Sequence, residues 1–387
     1  MYKLFSRNIH RTSLFQCDNK SEKIKSLLES AVIGSDIKPT SPENQWSTLP
    51  YAEGTVLKRD QKLKSIRPAR DPRECSIILF PGQGSQYVGM GKNLLSCPGS
   101  RDIFELANQV LNYDLLKICL EGPKSKLDKT SYCQPAVFVS SLAAVEKLQE
   151  ERPNAIENCV ATAGFSLGEI TSLVFAGSIP FDKALKLIQV RAEAMQMACE
   201  MSEGGMATVL FGPDSEIGAA CNKATQWCLE KGIEKPYCQV SNYLYPHCKI
   251  VAGHMEALRY LETNSKLFKI KRIKRLAVNG AFHTPLMESA VEPFRKALKQ
   301  IPIEDPLISV HSNVDGKRYK NAGHILKQLP QQIVKPVKWE QTLHILYERD
   351  QGKHFPRTFE CGPGKGLKAI LKQVNAKACD SATNIEA

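Results

Sequence analysis

The sequence predicts an α/β fold, a parallel-sheet core interrupted by a ferredoxin-like α+β subdomain. Three observations carry this. Short apolar runs alternate with segments of helical periodicity. Two of those runs end in glycine-rich turns, Pro81-Gly82-Gln83-Gly84-Ser85-Gln86 and Gly164-Phe165-Ser166-Leu167-Gly168. Over residues 204–273 the rhythm becomes β-α-β-β-α-β.

The core begins with Ser76-Ile77-Ile78-Leu79-Phe80, a buried strand that runs straight into the first glycine-rich turn. Arg101 to Leu111 and Pro135 to Leu148 carry apolar residues at helical spacing. Cys159 to Ala163 reads as a second short strand, and Glu169 to Phe175 as the first turns of a helix. Phe181 to Glu200 is a long helix that includes Arg191. In the subdomain, Met206 to Phe211 is a strand and Asp214 to Lys231 a helix with Asp214 at its start. Tyr237 to Asn242 and Lys249 to Ala252 are strands flanking a turn with Pro246. His254 to Asn264 is a helix and Leu267 to Val278 a strand. The expected organisation is a core of residues 73–203 and 274–387 around a subdomain of residues 204–273.

Residues 1–72 differ in kind. Met1 to Phe15 carries Lys3, Arg7 and Arg11, no acid, and Ser6, Thr12 and Ser13 among scattered apolar residues. That is the composition of a mitochondrial transit peptide. The stretch up to Pro72 stays polar and holds Pro39, Pro42, Pro50 and Pro68, a loosely structured lead-in rather than a domain.

The chemistry starts at Ser166. Gly-x-Ser-x-Gly between a strand and a helix reads as a nucleophile elbow, which gives the core a hydrolase-like character; the alternative is a Gly-rich turn in which Ser166 only caps the helix. The turn pushes the serine out of the sheet. The next amide, that of Leu167, sits at a helix N-terminus, where donors point outward toward a developing oxyanion. A serine nucleophile needs a base, and His283 is the best placed of eight histidines. It lies after the serine, in a loop, Gly280-Ala281-Phe282-His283-Thr284-Pro285, that opens a helix. His247, His254 and His311 are weaker candidates. No Asp or Glu is marked by local pattern as a third member, so a backbone carbonyl can orient the histidine. The Pro81–Gln86 loop lacks the Lys-Ser/Thr ending of a P-loop and fits no dinucleotide fingerprint. It is either a source of a second oxyanion donor or a plain strand-to-helix turn. Arg191 either snorkels from a helix flank or offers its planar fork to a carboxylate.

The bulk properties are those of a globular chain, 42% hydrophobic and 24% charged. No apolar run is long enough to span a membrane. The formal charge of +12 suits an anionic partner, but aromatics do not interleave with a basic stripe, which argues against nucleic acid. Thirteen cysteines are scattered singly, with no pair or His/Cys cluster at zinc spacing, so free thiols in a reducing compartment are expected. Lys266 to Arg275 holds six basic residues, either a solvated face or a docking strip for an acidic partner.

Together these stretches resemble the malonyl-CoA:acyl carrier protein transacylases, in particular the mitochondrial ones, from about Cys75 to Lys372. Phe80 to Gln86, Gly164 to Glu169 and Gly280 to His283 match three of that family's segments. Arg191 falls where the family keeps a carboxylate-binding arginine. Gln332, ahead of Pro336-Val337-Lys338-Trp339, matches the glutamine whose carbonyl orients the histidine. Glu360-Cys361-Gly362-Pro363-Gly364 matches a conserved turn of the family. Phe165 departs from the histidine common in bacterial members and cannot donate to a ligand.

The resemblance implies ping-pong acyl transfer. Ser166 is the nucleophile, His283 the base, and the Gln83 and Leu167 amides hold the oxyanion. Arg191 grips the malonyl carboxylate, and Phe282 and Asn242 line the acyl pocket, Phe282 crowding out an α-methyl branch. No metal or redox cofactor is implied. The implied partners are malonyl-CoA and an acidic acyl carrier protein, which would dock on Lys269, Lys271 and Arg272 in the mitochondrial matrix. The alternatives are a serine thioesterase or esterase with the same elbow, and a non-catalytic scaffold that binds carrier protein.

Overall fold

In the computed structural model the described residues are 71–278, 280–349 and 352–387, together with Leu27. The expected presequence and nearly all of the lead-in lie outside them.

The described residues hold ten strands: β1 (Ser76–Phe80), β2 (Cys159–Gly164), β3 (Gly204–Leu210), β4 (Cys238–Tyr245), β5 (Cys248–His254), β6 (Arg272–Arg275), β7 (Ser309–His311), β8 (Val337–Lys338), β9 (Arg357–Gly362) and β10 (Ala382–Glu386). The core sheet runs β10-β9-β1-β2-β7, and every neighbouring pair is parallel. β1 is buried along its whole length, which explains its unbroken apolar sequence. The second sheet runs β6-β3-β5-β4-β8. Its first four strands are antiparallel in the ferredoxin-like order, and β8 joins β4 in parallel. β8 comes from the returning core segment, so the two units share a sheet edge. β6 straddles the expected 273/274 boundary.

Three elements differ from expectation. The helix expected from Pro135 starts at Thr130 and runs to Glu151, with Pro135 inside it. Proline there removes a single early hydrogen bond, and packing offsets the loss: residues 133–145 are all buried. The helix expected from Asp214 begins at Ile217. The 212–215 turn is held instead by Ser215, whose Oγ accepts from the Gly212 amide and donates to the Lys269 carbonyl. The strand expected over 267–278 is confined to Arg272–Arg275, because residues 264–269 form turns and Lys269 has φ 53°. Lys269 therefore stands on a turn and Arg272 on an edge strand, with Lys271 exposed between them.

The carboxyl ends of the parallel strands converge. β1 ends at the Pro81–Gln86 loop, β2 at the elbow, β7 just before Asn313 and β9 at Gly362. A Cβ on Gly362 would meet Ser141 Oγ at 2.4 Å and Pro81 Cγ at 2.8 Å, so β9 packs directly beneath the first loop. This is where open parallel sheets bind ligands.

Candidate active site

The elbow is built by close approach. A Cβ on Gly164 would lie 1.8 Å from the Gly168 carbonyl carbon, and one on Gly168 2.3 Å from the Phe80 carbonyl oxygen. Glycine at both positions lets the helix Leu167–Phe175 sit on the ends of β2 and β1. A Cβ on Gly82 would meet the Phe165 oxygen at 2.3 Å, which seats the first loop against the elbow. Ser166 itself has φ 53° and ψ −102°, a region that costs on the order of 1–3 kcal/mol for a residue with a side chain. Two groups hold it there. Asn313 Oδ1 accepts from the Ser166 amide at 2.6 Å while Asn313 Nδ2 donates to the Gly164 carbonyl at 2.8 Å. Gln332 Nε2 donates to the Ser166 carbonyl at 2.7 Å.

His283 is 3% exposed and also lies in the left-handed region, at φ 61°. Its Nε2 faces Ser166 Oγ at 2.9 Å and its Nδ1 faces the Gln332 carbonyl at 2.7 Å. A carbonyl can only accept, so Nδ1 carries the proton and Nε2 accepts from the serine. Burial, with Arg191 nearby, pushes the imidazole down to about 4. It is neutral at neutral pH. The cap of the following turn is Thr284, whose Oγ1 accepts from the Leu286 amide. His311 is buried with Nδ1 on the Gly316 carbonyl, and His254 Nδ1 accepts from the Tyr237 amide.

Arg191 is 1% exposed, so it does not snorkel. One Nη donates to Gln134 Oε1 at 2.7 Å; the other donates to Gln332 Oε1 at 2.8 Å and Ser166 Oγ at 3.2 Å. Among the described residues its Nε has no partner. Burial lowers the guanidinium to about 10, which leaves it charged at neutral pH.

Neither the Gln83 nor the Leu167 amide has an acceptor among the described residues. Phe282 is buried beside Gly280, where an added Cβ would meet its ring at 3.2 Å. Asn242 is buried in β4 opposite Val337 and accepts from Ser241 Oγ. No hydrogen bond ties it to Ser166, His283 or Arg191. Among the described residues no group of three His, Cys, Asp or Glu side chains could hold a metal ion.

A strained serine, a neutral histidine bonded to it, two unengaged amides and a buried guanidinium form an acyl-transfer site. The sequence model of the acyl transferase domain matches residues 77–354. This chain belongs to the acyl transferase family. The transferase is 68% identical over 319 residues to the probable mitochondrial malonyl-CoA-acyl carrier protein transacylase of Drosophila melanogaster, covering 82% of this chain and 84% of that one. It is 54% identical over 317 residues to the human mitochondrial malonyl-CoA-acyl carrier protein transacylase, covering 82% and 81%. The malonyl CoA-acyl carrier protein transacylase of Coxiella burnetii superposes with TM-score 0.73 at 29% identity, over 82% of this chain and 95% of that one. A malonyl-transacylase in complex with a type II PKS acyl-carrier protein superposes with TM-score 0.71 at 31% identity, over 80% and 94%.

Several residues of the transferase site carry no signal in the sequence. Gln134 lies in the buried stretch of its helix, where its Oε1 accepts from Arg191 and its Nε2 donates to Gln83 Oε1 at 3.3 Å. Asn313 follows a three-residue strand. Gln332 enters the site with its side chain as well as its carbonyl. Besides the carbonyl that faces His283, its side-chain amide bonds Ser166, Glu169 and Arg191.

Proposed function

We propose that this acyl transferase moves a malonyl group from malonyl-CoA to the phosphopantetheine thiol of acyl carrier protein, through a malonyl-Ser166 ester, for fatty acid synthesis in the mitochondrion. The observation that carries this is the placement of Arg191: a buried guanidinium within hydrogen-bond distance of the nucleophile, beside a neutral base. A serine thioesterase with the same elbow has no use for that cation.

In the first half-reaction His283 Nε2 takes the Ser166 proton as Oγ attacks the thioester carbon. The Gln83 and Leu167 amides receive the oxyanion. The tetrahedral species collapses, the carbon–sulfur bond breaks, and the CoA thiolate takes the proton back from His283. In the second, the pantetheine thiol gives its proton to His283 and attacks the serine ester, and Ser166 leaves reprotonated. Arg191 holds the malonyl carboxylate throughout, and Phe282 and Asn242 bound the acyl pocket. The chemistry calls for no metal or redox cofactor. Lys269, Lys271 and Arg272, all exposed, are the docking points for an acidic carrier protein.

Intact mass after incubation with malonyl-CoA tests the reading. The wild type is expected to gain one malonyl group, and Ser166→Ala none. Carrier protein then removes the group and appears as the malonyl thioester. Free malonate released at the same rate without carrier protein would mark a thioesterase instead.

A further inference from the structure

Ser166 and Glu169 have the Ser-x-x-Glu spacing of a capping box, in which each side chain satisfies the other's backbone amide. Neither does so here. The Ser166 side chain makes no cap, and its amide is taken by Asn313. Both side chains of the box are released for other work. Ser166 Oγ turns to His283. Glu169, fully buried, turns beneath the elbow.

There Tyr319 Oη donates to Oε1 at 2.6 Å and Gln332 Nε2 donates to Oε2 at 2.6 Å. Burial pushes this carboxyl up to about 7, so above that pH it is an acceptor-only carboxylate. Gln332 is then fully constrained. Its Nε2 faces two acceptors, Glu169 Oε2 and the Ser166 carbonyl, so its Oε1 points to Arg191. Turning this amide over would set oxygen against both acceptors and Nε2 against the guanidinium. Resting on the function proposed above, we propose that Glu169 is a positioning residue for carboxylate selection: as an acceptor-only group it fixes the polarity of Gln332, and through Gln332 it aims Arg191 at the acyl pocket.

Glu169→Gln keeps the shape and removes the polarity. An amide offers one oxygen, so Tyr319 and Gln332 can no longer both donate to a full carboxylate. The polarity of Gln332 then rests on the Ser166 carbonyl, and Arg191 is aimed less firmly. The effect falls chiefly on substrates with a carboxylate. At about pH 8, malonyl loading by Glu169→Gln is expected to lose about ten-fold in kcat/KM, the scale of one hydrogen bond to a charged group, chiefly through KM. Acetyl loading is expected to fall by less, because the same Gln332 Nε2 also holds the Ser166 carbonyl. In an Arg191→Ala background the same substitution is expected to leave the malonyl-to-acetyl ratio where Arg191→Ala put it. Tyr319→Phe, which removes one donor at nearly constant volume, shifts the ratio in the same direction by less.

Equal losses for both acyl groups would overturn the proposal and make Glu169 a structural support of the elbow. A ratio shift that persists without Arg191 would overturn it too. If Glu169→Gln does not fold, Tyr319→Phe decides by the same ratio. A wild type that loads neither group would sink the transferase reading itself.

Discussion

At the carboxyl ends of the parallel strands, Arg191, Glu169 and His283 are all withdrawn from water, and each is met by named partners at hydrogen-bond distance. Along β6, Arg272 and Lys274 are exposed on the open edge of the second sheet, and among the described residues only Arg275 of this strand is ion-paired, with Glu262. Both regions carry charge, and the difference lies in what surrounds it. In the first, a low dielectric makes each interaction strong and each missing partner costly. In the second, water and salt screen most of the field beyond about 8–10 Å. One region is suited to chemistry and discrimination, the other to the rate of encounter.

That contrast breaks first at His283. His283→Ala is expected to slow malonyl loading by about two to four orders of magnitude, the usual contribution of a general base. Single-turnover loading measures it, and a near-normal rate would show that the serine is activated by Arg191 instead. Arg191→Ala is expected to lower malonyl transfer by about 10- to 150-fold, the equivalent of roughly 1.5–3 kcal/mol, and to spare or raise acetyl transfer. The measured quantity is the ratio of the two rates, and an equal fall in both would make the arginine structural. Lysine at this position is expected to rescue only in part, because it lacks the planar fork.

The surface region predicts smaller numbers. Reversing Lys269, Lys271 and Arg272 to Glu is expected to raise the KM for carrier protein a few-fold at low salt, and by less as salt rises. Malonyl loading from CoA is expected to stay unchanged; a parallel loss in both half-reactions would place the defect in the fold. The smallest expected effect is none. Because burial holds His283 neutral down to about 4, acetyl loading is expected to stay within about two-fold between pH 5 and pH 7. A limb near the ordinary histidine value of 6.5 would mean that the base is solvated during turnover. Stability follows the same group with a defined sign. As pH falls from 6.5 toward about 4, the unfolded chain takes a proton that the folded chain refuses, so His283 destabilises the fold across that window.

The sequence made legible what is local. Gly164, Ser166 and Gly168 announce themselves as a five-residue pattern between an apolar run and a helix, although the close approach that Gly168 permits is to the distant Phe80. The order of strands and helices was readable for the same reason, through periodicity and turn residues. The supporting shell was not. Gln134, Asn313 and Tyr319 each act on a residue more than fifty positions away, and nothing in their own surroundings marks them. Glu169 was visible as part of the motif, but its job depends on Tyr319 and Gln332, some 150 residues on. Pro135 misled because residues 133–145 are buried without a break, so no polar face shows where the helix begins. The 267–278 stretch misled because alternating basic and apolar residues look like strand even where the chain turns.

The short strand β8 has a consequence for how this chain can change length. Gln332 is fixed at one end by His283, Arg191 and Ser166, and Val337 at the other by its register opposite Asn242 in β4. Five residue steps connect an anchor at the catalytic residues to an anchor in the second sheet. Adding or removing one residue between them forces a choice. Either β8 slips by one, which turns its side chains to the opposite face, or Gln332 leaves the histidine. Substitution of the exposed Lys335 changes the surface, whereas an insertion or deletion within 333–336 acts on the base itself. The spacing is a ruler laid between the two units, and its length is under tighter constraint than its letters.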